Sequence, residues 1–405
     1  MSFVFLALSL AGLALTVNAG RPPSRRGGGG PRWVPALFTG ELAPFHAVAH
    51  LGLAGGFVAA GWAGGWAGWA GLGATTLSVA GLAAIQWRAA AARGVMEGAA
   101  AAVLGVPVRL PRLRLRRLLW PYPGRPREVE LTADLSYGPE PAHLADRYRR
   151  RSHVGAGPAL VQLHGGGWTQ GRRGWQGRPL MHHMARSGWV VFDLEYRLSP
   201  RVTFPDQLID AKRAIAWVRA NAAEHGVDPS FVAVTGGSAG GHLAALAALS
   251  GGDPAYQPGF EGADTSVQAC LPVYGVHDLL ARDGRPKWPY LATHVLKVAP
   301  EHDPVAWRRA SPVHCARPDR PTFLLAHGGA DSLVPPEDSR RLAAALRAAG
   351  GPPVGEAELP GATHGFDSMH SVRGERFAAG SAVVLEGLWA RHRASARWGR
   401  GTGGS

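Results

Sequence analysis

The hydrophobic pattern divides the chain in two. Up to Trp87 apolar residues run together without alternation: Ser2–Ala19, Leu42–Trp62 and Trp66–Trp87 each contain no Asp, Glu, Lys or Arg. A helix rising ~1.5 Å per residue over any of these runs reaches across, or nearly across, a hydrocarbon layer of about 30 Å. Gly52/Gly56 and Gly61/Gly65 stand four apart, a spacing that predicts close helix packing in a bilayer. Trp62, Trp66, Trp69 and Trp87 suit the two interfaces. Beyond Pro121 the pattern changes to short β-forming runs separated by amphipathic stretches. Strands are predicted over Ala159–Leu163, Val190–Leu194, Phe231–Thr235 and Phe323–Ala326, with a shorter one near Glu356–Leu359. Helices are predicted over Gln207–Ala222 and Pro336–Ala349. Strand, helix, strand repetition implies a mostly parallel sheet covered on both faces, an α/β fold. The expected organisation is a membrane-spanning region of about three helices over 1–90, a basic linker or cap over 91–126, the α/β domain over 127–395 and a flexible tail over 396–405.

Two alternatives stand beside the N-terminal reading. The first run fits a signal peptide as well as an anchor, since Val17-Asn18-Ala19 resembles a cleavage site although no positive segment precedes the run. GWAGGWAGWAG also fits a low-complexity loop. Charge favours the spans. The formal net charge is +14, and residues 1–127 hold thirteen arginines, no lysine and only Glu41 and Glu97 as acids. Arg21, Arg25, Arg26 and Arg32 follow the first run, the turn between the second and third is uncharged, and Arg88 and Arg93 follow the third. The positive-inside rule then puts the N-terminus outside and everything after Trp87, including the α/β domain, on the cytoplasmic side of a multi-pass membrane protein. With the tail arginines set aside as well, the remainder is close to neutral, which argues against nucleic acid as a partner. RLPRLRLRR at 109–117 interleaves arginine with leucine and continues into Leu118, Leu119 and Trp120; it suits anionic headgroups, or equally an exposed basic linker. Cys270 and Cys315 are the two cysteines, without metal-ligand spacing, and read as ordinary thiols.

The chemistry is concentrated after the predicted strands. The third strand runs into Gly236-Gly237-Ser238-Ala239-Gly240-Gly241 and then a helix-like HLAALAAL. This is G-x-S-x-G in the strand–turn–helix setting that exposes a nucleophilic serine. In a chain with 56 glycines the pattern alone is weak. His164-Gly165-Gly166-Gly167-Trp168, directly after another buried strand, strengthens it. Glycines there leave backbone N–H groups unobstructed for an oxygen that becomes negative during acyl transfer. The amides of Gly166, Gly167 and Ala239 are the expected oxyanion hole, Trp168 is an expected substrate contact, and His164 is expected to brace the loop. A serine nucleophile needs a base, and the base an orienting carboxylate. Asp331 in His327-Gly-Gly-Ala-Asp331 and His364 in Gly361-Ala-Thr-His364-Gly-Phe366 each follow a predicted strand and complete the order Ser238, Asp331, His364.

With these motifs assembled, residues 127–391 resemble an α/β-hydrolase esterase or lipase of the hormone-sensitive-lipase-like family. The resemblance is carried by HGGGW at 164–168, Tyr196-Arg197-Leu198-Ser199-Pro200, Phe204-Pro205, GGSAGG at 236–241, HGGADSLVP at 327–335 and GATHGF at 361–366. The hydrophobic N-terminus is similar to that of membrane-associated actinobacterial esterases. The resemblance implies a serine carboxylic-ester hydrolase acting through an acyl-enzyme on short- to medium-chain or lipid-like esters, with no metal and no organic cofactor. Amide hydrolysis on the same fold and a catalytically inactive membrane scaffold are the alternatives. Two departures are visible. Gly237 stands where the family usually has Asp, and Ser199-Pro200-Arg201 replaces the usual Ala-Pro-Glu. A helical cap preceding HGGG would fall on the Arg-rich 88–125.

Overall fold

The computed structural model describes residues 1–21, 32–280 and 287–401. Arg25, Arg26 and the end of the expected tail, 402–405, lie outside the described residues. The helices are α1 Ser2–Gly20, α2 Trp33–Glu41, α3 Ala43–Ala59, α4 Gly65–Ala90, α5 Ala92–Leu104, α6 Leu115–Leu118, α7 Arg178–Arg186, α8 Asp206–Ala220, α9 Ala222–His225, α10 Ala239–Leu249, α11 Lys287–Tyr290, α12 Pro304–Arg309, α13 Pro336–Ala348 and α14 Val372–Gly401. The strands are β1 Val129–Ser136, β2 Leu144–Arg150, β3 Gly157–Leu163, β4 Val190–Leu194, β5 Val227–Gly237, β6 Ala269–Val273, β7 Thr322–Gly328 and β8 Val354–Leu359.

All eight strands form one sheet in the order β1-β2-β4-β3-β5-β6-β7-β8. β1 and β2 pair antiparallel at one edge, and from β4 to β8 every neighbour is parallel. Every residue of β3, β4 and β6 is buried, which is why these strands are mostly apolar rather than alternating, with Gln162 and Asp193 as buried polar exceptions. α8, α10 and α13 cover one face, where Leu208, Ile215, Leu243, Leu246 and Leu342 pack on Val161, Phe192 and Val234. α5, α7 and α14 cover the other, where Met96, Val103, Met184, Phe377 and Leu385 pack on Leu160, Val191, Ala233 and Leu324.

The fate of 91–126 follows from this second layer. Met96, Ala99, Ala100 and Val103 recur at helical spacing along α5 and are all buried in the sheet's core, so this segment belongs to the α/β body rather than forming a cap. Only the short α6 is helical in the basic stretch that follows, and Leu115, Leu119 and Trp120 stand exposed around it. At the far end α14 runs through the expected tail boundary to Gly401.

Two N-terminal helices are long and apolar enough to cross a membrane, Ser2–Gly20 and the run Gly65–Leu104; α2 and α3, bent by 83° at their junction, add a third only if counted together as one broken span. α1 and α4 are joined by Ser9–Thr75 at 3.1 Å and Thr16–Ser78 at 2.7 Å, hydrogen bonds suited to an apolar setting. The glycines that permit their approach are Gly71, where a Cβ would meet Phe5 at 2.7 Å, and Gly81, where it would meet Thr16 at 2.7 Å. The expected pairs do otherwise. Gly52 and Gly56 face open space, while Gly61 and Gly65 have positive φ and turn the chain between α3 and α4. Trp62 just before α4, Trp66 and Trp69 at its start and Trp87 near its end are exposed, and the 22 residues from Trp66 to Trp87 span ~31 Å, about the hydrocarbon thickness.

Candidate active site

β5 delivers Ser238 to the centre of the sheet's C-terminal edge. Its φ of 58° and ψ of −119° are backbone values that persist only where the surroundings impose them. Val273 O accepts from Ser238 N at 2.9 Å. A methyl on Gly236 would lie 2.5 Å from Gly240 O, and one on Gly240 would lie 2.1 Å from Leu163 O, so the glycines on either side of the turn are required by close backbone approach. Ser238 keeps 8% of its surface exposed.

Gly237 is explained by what occupies the space beside it. A Cβ there would stand 2.8 Å from the Tyr274 hydroxyl and 2.9 Å from its ring. That hydroxyl donates to Asp367, and the ring lies 4.5 Å from the His364 ring, centroid to centroid. Tyr274 thus fills the position of the family's aspartate and packs on the histidine. Burial raises the Asp367 carboxyl above its ordinary range, although the Tyr274 hydroxyl bonded to it pulls the other way.

The loops after β7 and β8 are tied together by Gly329 N to Leu359 O and Ala330 N to Ala362 O, both 2.9 Å. This brings Asp331 Oδ2 to 2.7 Å from His364 Nδ1. The other oxygen, Oδ1, accepts from the amides of Leu333 and Val334, each at 2.9 Å. Burial alone would raise the Asp331 carboxyl, yet the His364 and His327 rings and their hydrogen bonds hold it well below the carboxylate range, so it stays ionised. A donor at Nδ1 leaves His364 Nε2 as the acceptor. Among the described residues no hydrogen bond yet joins it to Ser238 Oγ, a contact that commonly closes only with substrate present.

The glycine loop after β3 is shaped by its own backbone. Gly166 has φ 124° and Gly167 φ 61°, and a Cβ on Gly166 would meet Gln170 O at 1.9 Å. The amides of Gly166, Gly167 and Ala239 donate to no acceptor among the described residues, whereas Gly165 N is engaged by Gln176 Oε1 at 2.7 Å. His164 braces the loop, with Nδ1 at 2.8 Å from Gly165 O, Nε2 at 3.1 Å from Glu195 Oε1 and its ring stacked on Tyr196. Trp168 departs from expectation. Its indole is 3% exposed and donates to His242 Nδ1 of α10 at 3.2 Å, so it packs in the core beneath the loop.

Three residues met the site without a sequence signal. The Tyr290 hydroxyl donates to Gly167 O at 2.8 Å and lies 2.9 Å from Thr169 Oγ1, pinning the loop from above. Trp33 of α2 meets the His364 ring edge-on at 5.5 Å, and Leu37, one turn on, lies beside Gly365. α2 ends in Glu41, whose carboxylate pairs at 3.0 Å with Arg373 of α14 in a fully buried bridge. Arg373 also donates to Pro360 O and to Ile85 O of α4. The roof over the histidine therefore comes from the N-terminal region, not from 88–125. A separate cavity of about 620 Å³ adjoins the glycine loop through Thr169 and is lined by Tyr196–Val202, without Ser238. Among the described residues no group of three His, Cys, Asp or Glu is arranged to hold a metal ion.

Comparison with known proteins agrees with this fold. The BD-FAE family model matches residues 146–346. Esterase LipQ of Mycobacterium tuberculosis is 43% identical over 265 residues, 64% of this chain and 63% of LipQ. The probable carboxylic ester hydrolase LipM of the same organism is 44% identical over 266 residues, 64% of this chain and 61% of LipM. The match thus spans less than two thirds of either curated relative. A thermophilic esterase from Thermogutta terrifontis, solved with propionate and with butyrate bound, superposes with a TM-score of 0.51 at 30% identity, covering 64% of this chain. The same alignment takes in 92% of the propionate-bound esterase chain, and on that match, the parallel sheet and the ordered motifs, the chain belongs to the hormone-sensitive-lipase-like family of α/β-hydrolases.

Proposed function

We propose that this chain is a serine carboxylic-ester hydrolase. The observation that carries the proposal is the Asp331–His364 hydrogen bond of 2.7 Å, with Tyr274 packed between the His364 ring and Gly237, the residue before Ser238. In this reading His364 Nε2 takes the proton of Ser238 Oγ as the oxygen attacks the ester carbonyl. The negative oxygen of the tetrahedral intermediate accepts from the amides of Gly166, Gly167 and Ala239, and His364 passes its proton to the leaving alcohol. Water, deprotonated by the same imidazole, then releases the acid and restores the serine. LipQ and LipM are named as esterase and carboxylic ester hydrolase, which supports ester rather than amide substrates.

The proposal extends to location. α1 and α4 cross a bilayer and α3, at 17 residues a short span, makes the third crossing after the bend from α2, with the N-terminus outside and the α/β body on the cytoplasmic side, as the arginines flanking the first and third runs favour. The contacts of Arg373 with Glu41 and Ile85 support the parity of this arrangement, since the start of α3 and the end of α4 then share the side of the α/β body. With α2 roofing His364, the substrates are lipid-like esters or medium-chain esters that partition to the surface.

Turnover of p-nitrophenyl esters across a range of acyl lengths, against anilides of the same acyl groups, tests the reaction. Ester cleavage is expected to dominate and to fall to background in Ser238→Ala; dominant anilide cleavage would overturn the assignment. A reporter fused to the C-terminus is expected to be active only in the cytoplasm, and activity only outside would reverse the orientation.

A further inference from the structure

The basic stretch at 109–117 plays no part in the hydrolytic site, yet it builds one wall of a second cavity. This cavity, about 270 Å³, lies between that stretch and helices α7 and α14. Five guanidinium groups line it: Arg112, Arg114 and Arg117 from the stretch, Arg186 from α7 and Arg376 from α14, with Glu375 the one carboxylate of its lining. Glu375 is already engaged by Arg117 at 2.9 Å and His370 at 2.6 Å. Arg186 reaches Glu128 only at 3.4 Å, and Arg112 and Arg114 form no ion pair among the described residues. So many like charges around so small a space repel one another unless an anion enters. The neighbouring His183 imidazole is held below the ordinary range by burial first and then by Arg117, with Arg186 and Arg114 adding to the fall against Glu375.

The surroundings of this cavity point to a lipid. Leu115, Leu119, Trp120 and Tyr122 are exposed on the same stretch, where solvated residues would be expected if it met only water. Arg376 is one turn along α14 from Arg373, whose guanidinium touches Ile85 O, two residues before the exposed Trp87 of α4. The cavity therefore lies close to the level at which α4 leaves the hydrocarbon. Arginine forks match phosphate oxygens two at a time, while leucine and tryptophan suit acyl chains and the interface. We propose that this cavity binds the phosphate-bearing headgroup of an anionic phospholipid, whose acyl chains lie along Leu115, Leu119 and Trp120. The inference rests on the bilayer reading of the N-terminal helices and is independent of the ester chemistry.

The test uses the full chain in an uncharged detergent, so that binding is measured without a bilayer and a failure of the spanning topology cannot mimic a failure of the site. Titration calorimetry with dihexanoyl phosphatidylglycerol, dihexanoyl phosphatidylcholine and inorganic phosphate separates the sources. Phosphatidylglycerol is expected to bind most tightly, and Arg112→Ala with Arg114→Ala to weaken it roughly tenfold or more, each lost charge-assisted bond weakening binding severalfold. Turnover of p-nitrophenyl acetate by that variant should be unchanged, which also shows that it is folded. Equal binding of phosphatidylcholine, inorganic phosphate binding as tightly as the lipid, or unchanged lipid affinity in the folded double variant would each overturn the proposal.

Discussion

Replacing Glu41 by glutamine removes one charge from a pair that is 3.0 Å apart and has side chains only 2% and 1% exposed. Breaking a buried pair by removing one partner costs about 3–5 kcal/mol, because the surviving charge is left in a low dielectric. Arg373 retains hydrogen bonds to Pro360 O at 2.9 Å and Ile85 O at 3.4 Å, which puts the expected loss near the lower end, about 3 kcal/mol. The pair also fixes the end of α2, and α2 holds Trp33 on the His364 ring and Leu37 on Gly365. The loss should therefore appear twice in detergent-solubilised protein, as a lower unfolding midpoint and as a severalfold fall in kcat/KM on p-nitrophenyl butyrate. Glu41→Leu combined with Arg373→Met should recover most of the stability, since a buried pair roughly breaks even against apolar side chains of similar volume. Trp33→Ala should lower kcat/KM with a smaller effect on the midpoint, because the half-buried indole leaves no unpaired charge behind. A Glu41→Gln variant that lost under about 1 kcal/mol, the range of an exposed pair, and kept wild-type kcat/KM would refute the coupling of the N-terminal helices to the site.

Other outcomes follow from single positions. Asp331→Asn should cut kcat on p-nitrophenyl esters by about a thousandfold or more, by misorienting the imidazole, while circular dichroism stays native. Gly237→Asp, the family's usual residue, should destabilise the fold because its Cβ would meet the Tyr274 hydroxyl at 2.8 Å; adding Tyr274→Ala should restore part of the unfolding midpoint. Asp193 is fully buried and its carboxyl is pushed up to about 8, by burial first, against the Gly174 amide that donates to it and against Arg173, with Asp146 and Glu195 adding to the rise and Tyr148 also facing it. The folded state then holds a proton that the unfolded chain gives up near pH 4. Its contribution is full below that pH and is lost as pH rises towards and through about 8. Asp193→Asn should flatten the fall of the unfolding midpoint between pH 5 and 8, and an unchanged slope would contradict the assignment.

The elements legible in the sequence are those with a short β-forming run or a helical period of apolar residues. β3, β4, the second half of β5, β7 and β8 lie where short β-forming runs predict them, and α8 and α13 agree to within two residues. β2, Leu-Ala-Asp-Arg-Tyr-Arg-Arg, was hidden by its charges, which it carries because it belongs to the antiparallel edge. β6 is five residues long and contains Pro272, too short for a periodic signal. The glycine and histidine motifs were legible because backbone approach and strand ends constrain local sequence. Trp168, expected at the substrate from its place after the three glycines, is instead buried and bonded to His242 of α10, a long-range pairing that no local pattern encodes. The roof of Trp33 and Leu37, the wedge of Tyr274 and the brace of Tyr290 join residues far apart in the chain, and nothing in a local pattern encodes such pairings. Gly237 carried the only hint, as a missing aspartate whose space another side chain had to fill.

Covalent labelling reads most directly whether Ser238 is an activated nucleophile. Folded protein treated with a fluorophosphonate probe and mapped by peptide mass spectrometry should carry one adduct, on Ser238. His364→Ala should slow labelling by orders of magnitude through loss of the base. Absence of an adduct on folded wild-type protein, or an adduct on another serine that persists in Ser238→Ala, would show that Ser238 is not the nucleophile.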